Sequence, residues 1–313
     1  MNTQTAKALM TREFIDNRMA FFTIPAIISA ILLAALVAFS ISVQFGDQTI
    51  QFEDGERIEG LGMLLDHLGD VEVEHRREII TGGMFAFVMP VILILPFIIL
   101  FSLLSSLYDD RRNRSILFWK SMPVADATEV ASKFTASVVM APAILIGFAL
   151  VLQVAYLFVA SIIVIAHGGS PWALILGPAQ PVSTWFFAVG QYFLWALWAL
   201  PVLGWLMIVS AAAPKAPLLF ALVVPFVVAL LEELAFDTNH FFFWIVNRVG
   251  GFHAKIGDPS IWDKEGDIGV NLVLAHDLAT RFGDTLVTAD FWFGTLIAAG
   301  LFWGAIQLRR FYR

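Results

Sequence analysis

Six apolar stretches recur along the chain between polar segments: residues 20–43, 83–107, 134–166, 183–210, 217–236 and 291–308. A helix rising about 1.5 Å per residue needs about 20 mostly apolar residues to cross a hydrocarbon layer of about 30 Å. The pattern therefore predicts an all-α polytopic membrane protein with six transmembrane helices. The third stretch is too long for one upright helix and too short for two. It predicts a single tilted or protruding helix, loosened at Pro142 and Gly147. The first stretch exceeds the roughly 7–15 apolar residues of a signal peptide, and Glu13 and Asp16 stand in its leader beside Lys7, Arg12 and Arg18. It reads as a retained span.

Composition agrees. Of 313 residues, 59% are apolar and 14% charged, against about 45–50% and about 25% in soluble domains. A water-soluble enzyme is thereby disfavoured. The net charge of −7 argues against nucleic acid as a partner. With no cysteine, disulfides, thiolate metal sites and cysteine nucleophiles are all absent.

Charge also orients the spans. The N-terminal leader, residues 108–133, residues 211–216 and the C-terminal tail hold 12 of the 19 Lys and Arg. The opposite segments, 44–82, 167–182 and 237–290, are longer in total and hold the remaining 7. Positive charge stays on the cytoplasmic side, so both termini are expected there.

Before the first span, Leu9, Met10 and Phe14 recur at helical spacing. Residues 1–19 thus read as an amphipathic helix on the inner leaflet, with a frayed basic tail as the alternative. Two outer loops are long, 44–82 and 237–290, and loops of such length carry structure or function of their own. The first opens with strand-like segments, Val43-Gln44-Phe45 and Thr49-Ile50-Gln51-Phe52, around Gly46-Asp47, and continues as a polar helical stretch to Glu78. Trp172, Trp185, Trp244 and Trp292 fall at predicted outer boundaries, as an interfacial belt does.

The sizeable cytoplasmic loop, 108–128, is the most informative segment. Asp109 and Asp110 precede Arg111, Arg112 and Arg114, an order that suits a helix macrodipole. The apolar patch Ile116-Leu117-Phe118-Trp119 follows, and Pro123 stops the helix. Asp126 followed by Glu129 has the spacing of a capping box opening the third span. The other reading is a solvated charge run that ties two spans to anionic lipid.

Tyr108-Asp109-Asp110-Arg111, continuing through Arg114-Ser115-Ile116-Leu117-Phe118-Trp119-Lys120-Ser121-Met122-Pro123-Val124, resembles the first cytoplasmic loop of the ABC-2 type transporter permeases. Asp126 and Lys133 are placed similarly, and the six-span topology with cytoplasmic termini matches over the whole chain. The motif itself covers about 25 residues of the chain. The resemblance implies a transmembrane domain like that of type V exporters, in a bacterial inner membrane. It also implies that 108–128 forms a coupling helix docking on a separate ATPase, and that 1–19 forms the family's connecting helix. Asp109, Arg111, Arg114, Phe118 and Trp119 become the expected ATPase contacts. A second permease copy or a paralogue would complete the pathway.

No G-x-x-x-x-G-K-[ST] occurs, so ATP and magnesium would be bound by the partner and no cofactor by this chain. Glu232-Glu233 with Phe236 and His240 is similar to pieces of the CAAX-protease-like intramembrane peptidases. Yet Asp237 stands where that family has arginine, and the two motifs overlap within nine residues. The glutamates read either as an interfacial pair capping the fifth span or as a polar point in an export path. On the fourth span Gln191, Trp195, Trp198, Val202 and Trp205 fall near one helical face, as helix packing or as a cavity wall suited to an amphiphilic cargo. The six histidines lie in outer segments, away from paired metal-ligand spacing. The remaining function class is a non-transporting membrane scaffold or sensor.

Overall fold

The computed structural model describes residues 3–45, 49–51, 57–59, 65, 68–121, 124–179, 181–250 and 282–311. These residues are almost wholly helical. Five helical rods are long and apolar enough to cross a membrane: Met19–Ser42, His75–Arg112, Asp126–Ala166, Pro217–Phe236 and Ala289–Phe311. A sixth follows if the bent pair Ala188–Trp198 and Leu200–Ala212 counts as one span.

In chain order, α1 is Thr3–Asp16 and α2 is Ile24–Phe45, entered through a π-helical turn at Met19–Thr23. A two-stranded antiparallel ribbon pairs β1 (Thr49–Gln51) with β2 (Arg57–Glu59). Here the sequence reading needs correction: residues 43–45 are the last turn of α2, and the partner strand lies after the turn. Gly46, Asp47 and Phe52 lie outside the described residues. Helices α3 (Val73–Leu93) and α4 (Leu95–Arg112) form a single rod of 38 residues from His75, jointed at Ile94 just before Pro96. The rod is about 57 Å long at 1.5 Å per residue, about twice the hydrocarbon thickness, so it protrudes from any membrane it crosses. Its first turns fall within the stretch 44–82 that the apolar pattern assigns to a loop.

The short helix α5 (Ser115–Lys120) precedes α6 (Asp126–Thr135) and α7 (Ala141–Ala166), which run on as a 41-residue rod. The loosening expected at Pro142 and Gly147 takes the form of a π-helical turn at Ala136–Met140, immediately ahead of Pro142. The carbonyl that Pro142 leaves without its helical donor, that of Val138, accepts from the Tyr192 hydroxyl at 2.6 Å, and Gly147 lies inside the unbroken α7. Next come α8 (Pro181–Trp198) and α9 (Leu200–Ala212), which meet at 60°. Pro201 stands in the first turn after the break and removes a backbone donor there. The fourth span is therefore not the straight helix that 183–210 suggests, and the face holding Gln191, Trp195, Trp198, Val202 and Trp205 is divided at Ala199. Helix α10 (Pro217–Phe236), the eleven-residue α11 (His240–Gly250) and α12 (Ala289–Phe311) follow; ahead of α8 the chain makes a π-helical turn at Trp172–Leu176 and one helical turn at Gly177–Ala179.

The bundle packs around α9, which lies between α4 and α12. Small residues allow the approach: a Cβ added at Gly304 would lie 2.8 Å from Cδ1 of Ile208. One core joins Leu103, Leu107, Val130, Leu203, Met207 and Ala305; a second joins Phe21, Val88, Ala141, Leu145 and Leu152. Ser210, fully buried, rivets α9 to α4: its hydroxyl donates to Leu104 O at 2.8 Å and accepts from the amides of Leu107 and Tyr108. Outward, Ile31, Phe39, Leu222, Phe226, Leu231 and Leu234 are exposed. Apolar surface on that scale marks contact with a membrane.

Candidate functional site

At one end of the bundle, here called basal, α1, the last turn of α4, α5, the start of α6 and the last turn of α12 converge. Their charged residues form a single network. Arg12 Nη1 meets Glu129 Oε1 at 2.6 Å, and Arg12 Nη2 lies 3.6 Å from Asp110. Lys133 Nζ bridges Glu13 at 3.3 Å and Asp110 at 3.4 Å. Arg309 reaches Asp110 at 3.1 Å, Asp126 at 3.2 Å and Glu129 at 3.7 Å. Glu13, Asp110, Glu129, Lys133 and Arg309 are all buried. Three cations thus face four carboxylates at a largely buried site, and Arg12 also lies 3.5 Å from the exposed Asp16 at its edge. Burial pushes the Glu13 carboxyl above its usual range, against the opposing pull of Lys133 and Arg12.

This arrangement overturns two expectations. Asp126 and Glu129 do not form a capping box: Ala125 occupies the cap, its carbonyl takes the amides of Thr128 and Glu129, and both carboxylates turn to arginines. Nor does α1 lie with its charged residues all to the outside, since Glu13 is 3% exposed. The sequence held a signal for this. Asp126, Glu129 and Lys133 stand at i, i+3 and i+7, a charged stripe on one helical face of a charge-poor chain.

The network carries α5. Ser115 Oγ donates to the Asp110 carbonyl at 3.3 Å, Ile116 is buried, and Lys120 donates to Arg310 O at 3.3 Å. The Arg12 guanidinium lies over the Trp119 ring, 3.6 Å from its centroid. Phe118 meets Trp119 edge to face at 4.9 Å but is 60% exposed, as is its neighbour Leu117 at 59%. Arg114 enters the helix in the left-handed region, with φ of 56°, and points to solvent. Asp109 is exposed as well. Arg111 is placed otherwise: its Nη2 donates to Ser210 O at 2.7 Å and Ala213 O at 2.9 Å, closing the open carbonyls at the end of α9. Of the five expected contacts, Asp109, Arg114 and Phe118 face outward, while Trp119 and Arg111 brace the fold.

The opposite, distal end is held differently. Arg248 on α11 is 1% exposed. It donates to Trp198 O at 3.1 Å and to Asp290 O at 2.6 Å, and pairs with the Asp290 carboxylate at 2.8 Å. Trp198 O lies at the break in the fourth span, where Val202 N bonds Ala199 O instead. The indoles of Trp195 and Trp198 in turn donate to Val249 O and Asn247 O, closing the end of α11. Nearby, Arg76 donates to the carbonyls of Leu68, Gly69 and Val71.

Glu232 accepts from Thr238 Oγ1 at 2.9 Å, His240 N at 2.9 Å and Phe241 N at 2.8 Å. Its carboxylate caps α11, the helix after its own. Glu233 is exposed, and Gln191 is half-buried on α8. Thus Glu232 holds the first turn of α11 and Trp195 and Trp198 its last, at opposite ends of an eleven-residue helix. His67, His253 and His276 lie outside the described residues, as does most of 237–290.

An apolar cleft of about 720 Å³ lies between the end of α8 and helices α4, α9, α10, α11 and α12. Trp195, Pro201, Trp205, Pro225, Phe241 and Trp244 are among its walls. Comparison with family models, with curated proteins and with solved structures finds no match to this chain.

Proposed function

We propose that this chain is the membrane-spanning permease subunit of an ATP-driven exporter of the ABC-2 type. It works in a bacterial inner membrane as a pair of permease copies, identical or paralogous, coupled to a separate ATPase that binds ATP and magnesium. On this reading the basal end is cytosolic, with both termini, and the distal end faces outward.

One observation supports the reading above the others. Helix α5 is fixed from within through Ser115, Ile116, Trp119 and Lys120, yet presents Leu117 and Phe118 to solvent beside Arg114. Exposed apolar groups on a preordered helix lose little entropy on docking, and aromatic and arginine anchors dominate interfaces. A helix that only bound lipid headgroups would need neither the internal bracing nor the exposed ring.

The test is co-purification from native membranes in mild detergent. Phe118→Ala is expected to weaken ATPase association by roughly 2–4 kcal/mol, about 30- to 1,000-fold in affinity, with the subunit still folded. ATPase retained at wild-type level in Phe118→Ala and in Leu117→Ala/Phe118→Ala removes α5 as the docking element. A wild-type sample free of any ATPase favours the scaffold or sensor instead.

A further inference from the structure

We infer that the apolar cleft is a binding site for one hydrocarbon chain, the acyl tail of a lipid or of an amphiphilic cargo. As a statement about cargo it rests on the exporter reading; as a statement about the site it does not.

At about 720 Å³ the cleft is within the size of small-molecule sites, roughly 300–1,000 Å³. Its walls have nothing to offer a polar ligand. Three indoles reach it, and each N–H is already engaged: Trp195 with Val249 O at 2.8 Å, Trp205 with Ala221 O at 3.1 Å, Trp244 with the Asp290 carboxylate at 3.1 Å. The Trp205 bond is telling. Pro225 has no N–H, so the carbonyl four residues before it, that of Ala221, loses its helical partner and Trp205 replaces it. A wall that proline should have left polar is thereby made apolar.

Water in such a space finds no partners, and buried water requires two to four. Protein interiors are close-packed, and an apolar void of this size is not left empty. The rim decides what enters. Leu222 and Phe226 on α10 border the cleft and are exposed, on a helix whose Leu219, Leu231 and Leu234 are exposed as well. The cleft therefore opens onto hydrocarbon. Its walls come from six helices of one chain and α11 covers it with Phe241 and Trp244, so a slender chain fits better than the helix of a second copy. Pro96, Pro201 and Pro225, from three different helices, all line it. Each stands where the helix already lacks a ladder bond, so the walls can part at low cost.

The full chain, reconstituted in nanodiscs with phosphatidylcholine bearing a photoreactive diazirine in its acyl chain, tests this without any ATPase. Labelling of α9 and α11 peptides is expected to exceed that of α2, whose Ile31 and Phe39 report ordinary lipid contact. Val202→Phe and Ala229→Phe each place a ring in the cleft and should return its labelling to the α2 level. Cleft labelling no higher than that of α2, or unchanged in both variants, overturns the proposal. So do disulfide cross-links between two copies from a cysteine placed at Val202. With an ATPase present, label that persists during ATP turnover marks a resident lipid, and label that falls marks cargo. Either result supports the site.

Discussion

Buried arginine is neutralised in opposite ways at the two ends of this molecule. At the basal end Arg12 and Arg309 face carboxylates drawn from α1, α4 and α6. At the distal end Arg76 and much of Arg248 are held by backbone carbonyls, with Asp290, itself half-exposed, as the partly wet partner. Carbonyl dipoles are fixed in the main chain, so the distal locks fasten backbone, that of Trp198 and Asp290 being held by Arg248 from 50 and 42 residues away. Carboxylates travel with their helices, so the basal network ties together segments far apart in sequence. A charge removed from a shared network leaves several others uncompensated, whereas a lost carbonyl clamp leaves neutral groups behind.

The sharpest test of this contrast is Asp110, which meets Arg12, Lys133 and Arg309 at once. Asp110→Ala should cost about 3–5 kcal/mol, the range for breaking a buried ion pair from one side. The loss should appear as a lowered melting temperature in detergent and as faster proteolysis at Arg18, where α1 comes away. Arg248→Met should cost less, about 1–3 kcal/mol, because it leaves unsatisfied carbonyls and a carboxylate that water can reach. The same melting measurement ranks the two. An Arg248 variant as damaging as Asp110→Ala would break the comparison.

The smallest effect concerns pH. Burial raises the Glu13 carboxyl above its ordinary 4.5, so the folded protein favours its neutral form. The stability that Glu13 contributes is then fully present below 4.5 and is lost as pH rises through the raised value. Glu13→Gln removes that dependence. Its melting temperature should exceed that of the wild type at neutral pH by an amount that shrinks on acidification. A difference constant with pH would show that Glu13 stays ionised within the network.

The spans were legible because apolar runs of about 20 residues have few other uses. What the runs could not reveal was continuity. The polar first turns of α3 read as a helical piece of an outer loop and the charged α6 as a cap, yet both prolong a rod, since helix persists where a protein neighbour receives the charges. The bend at Ala199 was half-visible in Pro201, but its partner was not: Arg248 lies in a segment read as an outer loop. The loop helix followed the same rule. Phe118 is exposed as its composition suggests, whereas Arg111 turns inward to the end of α9, a distant carbonyl site that no local pattern encodes.

The basal network also has an order in time. Arg309 lies 199 residues after Asp110 and 183 after Asp126. At about 5–20 residues per second of synthesis, roughly 10–40 s separate the acids from their last cation. During that interval Glu13, Asp110 and Glu129 share Arg12 and Lys133, and Asp126 waits for Arg309. Arrival of α12 therefore does more than add a span: it supplies the cation that the nascent chain has lacked since α6 was made.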